Sequence, residues 1–501
     1  MCVRLYCVFA LTICLVLTGP AAAWQEASEP PYTISPETTH FTGPQRESGE
    51  LDFLNIINQR LGDAVTTENN AAIVLIPILG MEGLDPIPYL RRAGAGPPWP
   101  EWRPMTSFDW NITDSFNSAT RRYWQPDDYP ELFEWVESNN YARETIHAAA
   151  KRQYYHVALQ VSDSELVASC LLPHVQCVRN TGRWLQVHAT LMLGEDNLDE
   201  CLDDIQALRG LSNQLLNGDC LVVALVGMAL HDQACDAMAA VASSPIELMA
   251  AEWQTLEREW GVRKRLIEPD VIFVCDRALV LDAVAWTARN RSMNEVLKFF
   301  GEDLGLNDLQ ARLLESKIRS IRDWDPVIRS INQLFNDNDT AWRIDDDAGR
   351  TRALAEVNKT SRQRREQLES QTASAANLAL ASATDLATAA ISLLCVDLTK
   401  INQRELRCLN EHRIVGLALA IRRYRQNHGD FPELLTDLPN VSESTSHLDL
   451  FSGQPYEYEV TDEGFILYSR GSDVESNGTD PSRLLNRNDT DDWGIVFHES
   501  D

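Results

Sequence analysis

WLQVHATLML (184–193), GED (194–196) and LDECLDDIQALRGLSNQL (198–215), closed by NG (217–218), read as two helices on either side of a tight turn. Apolar residues recur at helical spacing in both segments, and Gly194 and Asn217-Gly218 supply the stops. The pattern continues downstream. Cys220 to Leu230 is apolar all round, but its 11 residues between Asp219 and Asp232 are too few for a bilayer span of about 20 residues, so it reads as a core helix. Ser244, Pro245 and Glu247 suggest an N-terminal capping box. Asp270 to Arg289 reads as another buried helix, and the Ala-rich stretch Arg350 to Leu398 as one long helix or an antiparallel pair.

The hairpin around Gly194 has the small-residue style of tetratricopeptide-like repeats, yet no second copy at a period of about 34 residues is visible. The reading is therefore a mainly α fold, a helical array over residues 51–403 rather than a regular solenoid. Residues 24–50, with prolines among Ser, Thr and Glu, read as an extended, solvated arm. Ahead of the arm, Arg4, the apolar run Leu5 to Leu17 and Ala21-Ala22-Ala23 form a signal-peptide pattern over residues 1–23. Cleavage after Ala23 and export to the periplasm or cell surface are expected.

The 501 residues carry 74 acidic against 44 basic side chains, a net charge of −30. That balance speaks against nucleic acid and against an anionic membrane surface as partners. Three of the 11 cysteines fall in the signal segment, leaving eight. Pairing among them is compatible with export but not required, and Cys170 with Cys177 is the pair to test first. Cys170, His174 and Cys177 lack the fourth ligand of a structural zinc site.

Gly94 to Trp135 holds Trp99, Trp102, Trp110, Trp124 and Trp135, with Pro97, Pro98, Pro100 and Pro104 among them. It reads as an irregular crossing pinned to the core by aromatic side chains, with a sugar- or peptide-binding surface as the functional alternative. Nucleophile-elbow, zincin and phosphate-loop motifs are absent from the sequence. His156, His188 and His231 stand in apolar helical texture and read as core histidines. Asp203 with Asp204, and Asp276 with Asp282, are the carboxylate pairs suited to acid–base work, and carry the alternative of an extracytoplasmic hydrolase.

The texture changes after Arg404. An amphipathic helix runs to Asn427 before Gly429. Tyr456, Tyr458 and Val460 then alternate with Glu457 and Glu459, Asp462-Glu463-Gly464 turns, Phe465 to Tyr468 returns, and Trp493 to Phe497 follows. One helix on three antiparallel strands satisfies both apolar faces, so residues 404–501 read as a small α+β domain separate from 51–403. On that reading, removal of 404–501 leaves a folded helical remainder.

The run Tyr424, Asn427, Gly429, Phe431, Pro432, then Phe451, Gly453, Pro455, Tyr456, then Phe465, Leu467, Tyr468, Ser469, Gly471, Asp473 resembles the globular domain of the major pseudopilin of type II secretion. The remainder resembles an uncharacterised planctomycete-type family of exported proteins with such a module behind a long helical region. The matching stretches are Val65 to Ala72, Lys151 to Leu159, Leu191 to Leu211, Ala224 to Asp232 and Cys275 to Ala285. The pseudopilin resemblance implies calcium in the loop between the last two strands, with Ser469, Asp473, Asp489, Asp491 and Asp492 as side-chain ligands. The tail suits a cation, since Asp430 to Asp501 holds 17 carboxylates against three arginines. The loop departs from the pseudopilin pattern in its length and in Pro481. No membrane helix precedes Arg404 in the pseudopilin manner, so filament assembly does not carry over. The resulting expectation is an exported, noncatalytic interaction or scaffold protein that meets a protein partner in the cell envelope.

Overall fold

The computed structural model describes residues 30–498, apart from 63, 82–83, 109, 162–164, 171, 262, 291, 300–303, 440–446 and 472–492. It is mainly helical, with a small antiparallel sheet near its end. The principal helices are α1 (Phe53–Gly62), α2 (Ala71–Leu75), α3 (Ile87–Arg92), α4 (Arg143–Ala150), α5 (Pro173–Gly194), α6 (Leu198–Leu216), α7 (Leu221–Ser243), α8 (Arg277–Asn290), α9 (Asp325–Trp342), α10 (Asp347–Thr372), α11 (Ala383–Ser392) and α12 (Leu398–His428).

The hairpin read around Gly194 is α5 and α6, and its turn is closed by the Asn197 side chain accepting from Glu200 N–H. Against this pair lies α7, which is 23 residues long rather than the 11 read from its apolar run. The polar residues His231, Asp232 and Asp236 that obscured its second half are themselves buried, so the helix continues without an exposed face. By length and composition α7 is able to cross a membrane, yet most of it is covered by α5, α6 and α12. Ser244 ends α7 rather than starting the next helix. Its hydroxyl donates to the Val241 carbonyl at 2.8 Å, and the following helix begins at Ala250. Helix α9 carries the polar residues Asn336 to Thr340 and runs to Trp342.

Residues 30–50 do not form a solvated arm. Thr33 N–H donates to Asp325 Oδ1 (2.6 Å), Trp324 N–H to the Pro31 carbonyl (3.0 Å) and Asn332 Nδ2 to the Thr38 carbonyl, while Tyr32, Thr38 and Thr39 are buried. This strap is held along α9 by backbone hydrogen bonds and single side chains. Such anchoring leaves no apolar period to read.

At the other end, β1 (Glu457–Thr461), β2 (Gly464–Ser469) and β3 (Trp493–His498) pair antiparallel in sequence order, with Tyr458 opposite Leu467 and Leu467 opposite Ile495. The long helix before them ends at Gly429, whose φ of 90° is the left-handed conformation that glycine adopts without a Cβ penalty. That helix begins at Leu398, so residue 404 lies inside α12. Its Leu406, Leu409, Ile414, Val415, Leu417 and Ile421 are all buried, against α7 and α10 as well as the sheet. Strand β3 touches α7 directly. Arg121 Nη2 donates to the Gly494 carbonyl and Arg422 Nη1 to the Val241 carbonyl, each at 2.7 Å. The helical body and the C-terminal module therefore share one core in place of the two expected from the change of texture.

Candidate functional site

Of the five residues implied as calcium ligands, Asp473, Asp489, Asp491 and Asp492 lie outside the described residues. Ser469 is buried on β2. Its hydroxyl donates to Asp449 Oδ2 (2.8 Å) and accepts from Gly471 N–H (3.1 Å) and Asn410 Nδ2 (3.3 Å), which uses all its hydrogen-bonding capacity. Asn410 also donates to Asp449 Oδ1 (2.9 Å) and accepts from Tyr456 Oη (2.6 Å) and Leu450 N–H (3.0 Å). The group binds α12 to the sheet and to the 447–456 loop, and leaves Ser469 no lone pair for an ion.

The carboxylate pairs separate. Asp203 is exposed, while Asp204 is fully buried and accepts from His188 Nδ1 (2.6 Å), His147 Nε2 (2.7 Å) and Arg143 Nε (2.9 Å). Burial by itself raises the Asp204 pKa, but the hydrogen bonds from His147 and His188 and the Arg143 charge outweigh it and hold the carboxyl below its ordinary value. His156 Nδ1 meets Asp219 Oδ1 at 2.7 Å, again in the interior. The first set joins α4 and α5 to α6, while the His156–Asp219 contact ties the 155–160 segment to the turn before α7.

Asp276 and Asp282 have different neighbours. Asp282 Oδ2 accepts Val167 N–H at 2.7 Å, and burial pushes its pKa up to about 6. Asp276 ends a π-helical turn, Val271–Asp276, and accepts from Leu221 N–H at the start of α7. Burial pushes it up to about 8 despite that hydrogen bond, and its Oδ2 has no partner.

Among the described residues, two of the surface clefts bear on function. One, of about 480 Å³, is lined by Leu84, Pro86, Ile87, Leu90, Trp99, Pro100 and Trp102, with Asp85 as its titratable group. Trp102 is 41% exposed and Leu84 38%, whereas Trp124 and Trp135 are buried and hydrogen-bonded through their indole N–H groups to Val187 and Thr106 carbonyls. The aromatic crossing therefore has two parts, one pinned to the core as read and one turned to solvent. The other cleft, of about 510 Å³, lies between the strap and α9 around Pro30, Tyr32, Arg322 and Asp323.

A third assembly was not anticipated from the sequence. His231 and Cys235 sit one turn apart on α7 and face His412 of α12, with one donor atom from each within 4.8 Å of the others and all three side chains buried. His412 Nε2 lies 2.9 Å from the Gly261 carbonyl, which only accepts. The proton is therefore on Nε2, and Nδ1 carries the lone pair. That Nδ1 and Nε2 of His231 have no hydrogen-bond partner. Trp260 stacks on His412 at 5.0 Å, and the Arg209 guanidinium lies over the Trp260 ring at 4.8 Å. Gly416, one turn beyond His412, permits the approach, since a β-carbon there would stand 2.6 Å from the Trp260 carbonyl oxygen. Burial pushes His412 down to about 3 and His231 well below its ordinary value, aided by nearby guanidinium groups, so both rings are neutral.

No family model, curated protein or solved structure matches this chain.

The signal for the third assembly was present as His-x-x-x-Cys inside an apolar helix, a spacing that places both donors on one face. Its partner lies 177 residues further on, and sequence spacing alone does not pair them. The Cys170–Cys177 disulfide is not formed; Cys177 Sγ contacts the Gly80 carbonyl at 3.6 Å instead.

Proposed function

We propose that the protein is an exported, noncatalytic interaction protein that binds an extended, proline-containing segment of an envelope protein partner. The observation that carries this reading is the open cleft formed by Trp99, Trp102, Pro86, Pro100 and Leu84, which holds apolar and aromatic surface at the solvent boundary. Aromatic-lined grooves suit polyproline II segments because the ligand is already extended and loses little entropy on docking. The histidine and carboxylate contacts that would serve a hydrolase are in the interior, away from this cleft. The C-terminal helix and sheet are proposed as a pseudopilin-like module, supported by the Gly429 and Tyr456 to Gly471 residues of the resemblance.

Trp102→Ala is expected to leave the melting temperature almost unchanged, because the side chain is 41% exposed. It should weaken binding of a proline-rich decapeptide about 30-fold, the loss of one aromatic anchor. Intrinsic tryptophan fluorescence reads both arms. Quenching by cello- or chito-oligosaccharides but not by peptide, or turnover of any glycan, peptide or ester, overturns the reading.

Calcium remains part of this proposal through Asp473, Asp489, Asp491 and Asp492, without Ser469. Millimolar calcium should raise the melting temperature of the full chain more than magnesium does, since a long carboxylate-rich loop suits the larger ion. Asp491→Asn with Asp492→Asn should remove the difference. A shift that magnesium or sodium chloride reproduces reduces it to screening.

A further inference from the structure

We propose that His231, Cys235 and His412 form a buried three-coordinate site for copper(I) that clamps α7 to α12. Each donor is set for the role. His231 and Cys235 share one helix face, and the unpartnered lone pair of His412 is the one left by its bond to the Gly261 carbonyl. A backbone carbonyl on the far nitrogen is the usual outer-shell support of a metal-bound imidazole, because it fixes tautomer and ring orientation. Donor atoms around a trigonal ion at roughly 2.1 Å stand about 3.6 Å apart. The observed spread of 4.8 Å or less closes to that by small side-chain rotations.

The choice of ion follows from coordination number and charge. Among the described residues the cluster offers three donors, all buried, one fewer than the four that a structural zinc site takes. Copper(I) accepts three soft donors, and thiolate with imidazole is a ligand set that suits it. Of the guanidinium groups around the site, Arg209 is matched by Glu259 at 2.8 Å and Arg404 by Asp232, while Arg263 donates to the Arg265 carbonyl and Asn213 Oδ1 and adds positive charge that disfavours a further cationic centre. Copper(I) with the Cys235 thiolate and two neutral imidazoles is a neutral unit, whereas a divalent ion leaves one uncompensated charge in a dry core. On binding, the Cys235 thiol releases one proton to solvent and a sulfur–copper bond takes its place.

The test uses the full chain, treated with chelator and then incubated anaerobically with copper(I) or zinc(II), desalted and assayed for metal. One copper(I) per chain and a higher melting temperature are expected. Both should be lost in Cys235→Ser and in His412→Gln, and retained in Cys201→Ser, which removes a buried thiol outside the cluster. Because these variants alter a packed core, copper-edge X-ray absorption on the unaltered chain decides independently. One sulfur and two nitrogens in a three-coordinate shell support the site. Two or more sulfurs, an added oxygen, copper retained by both ligand variants, or zinc giving the same stabilisation overturns it.

Discussion

A chain ending at residue 403 is expected to lose cooperative unfolding altogether. The cut leaves only the first turn and a half of α12, removing the buried Leu406, Leu409, Ile414, Val415, Leu417 and Ile421 from α7 and α10. At roughly 1.5–3 kcal/mol for each fully buried aliphatic side chain, the loss is on the order of 10–15 kcal/mol. A whole domain is stable by only about 5–15 kcal/mol. Polar contacts go as well. Glu405 Oε1 accepts from Leu266 N–H (2.8 Å) and Ile267 N–H (3.0 Å), and its other oxygen lies 3.8 Å from Arg350, which is almost wholly buried. Without Glu405 two backbone donors lose their acceptor and Arg350 loses part of its compensating charge, a kind of loss that costs about 3–5 kcal/mol for a buried pair. The truncated chain should show helical circular dichroism with a broad, shallow melt. A chain ending at Gly429 keeps α12 and should melt cooperatively at a lower temperature than the full chain. A sharp transition in the 403 truncation would show that residues 51–403 hold a core of their own.

This expectation reverses the one drawn from texture, and the reason is physical. Local signals were legible wherever the backbone itself demands a residue type: Gly194 and Asn217-Gly218 end helices, Gly429 takes a positive φ, and Tyr458, Phe465 and Phe497 fall on paired strands. Which faces meet was not legible. The stripe read on α12 predicts one buried face, yet Asn402, Glu405, Asn410, Glu411 and His412 are buried too, and polar residues do not register in an apolar period. The same blindness shortened α7, where His231, Asp232 and Asp236 interrupt the apolar run, and hid the meeting of His231 with His412. The calcium ligands came from the resemblance, and the one of them described, Ser469, has its hydroxyl committed to Asp449.

Asp276→Asn should remove a downward contribution to the pH dependence of stability between about 6.5 and 8. Asp276 accepts from Leu221 N–H through one oxygen, while Oδ2 is buried without a partner, so ionisation would place a charge where nothing compensates it. Burial therefore holds the folded-state pKa up to about 8, against about 3.9 in an unfolded chain. Between those values the native state keeps a proton that the unfolded state has lost. Stability then decreases as pH rises, by about 1.4 kcal/mol per unit while the native group stays protonated, and levels off above pH 8 or so. Summed over the window the penalty is on the order of 5 kcal/mol, large against the net stability of a fold. Above pH 6.5 Asp282, half ionised near pH 6, adds little, while the buried neutral His174, His231 and His412 add an opposing rise as their unfolded-state imidazoles lose protons; both contributions are common to the natural chain and the variant and cancel in the comparison between them. The neighbouring thiols stay protonated throughout: burial raises Cys220 and Cys395 to about 12, and Cys275 is also raised well above its ordinary value. Asparagine keeps an oxygen for Leu221 N–H and cannot ionise, so the variant loses the pH term and retains the hydrogen bond. Between pH 6.5 and 8 the urea midpoint of the variant should gain on that of the natural chain. Parallel curves for the two proteins would mean that Asp276 is already ionised at pH 6.5 and that Oδ2 is compensated.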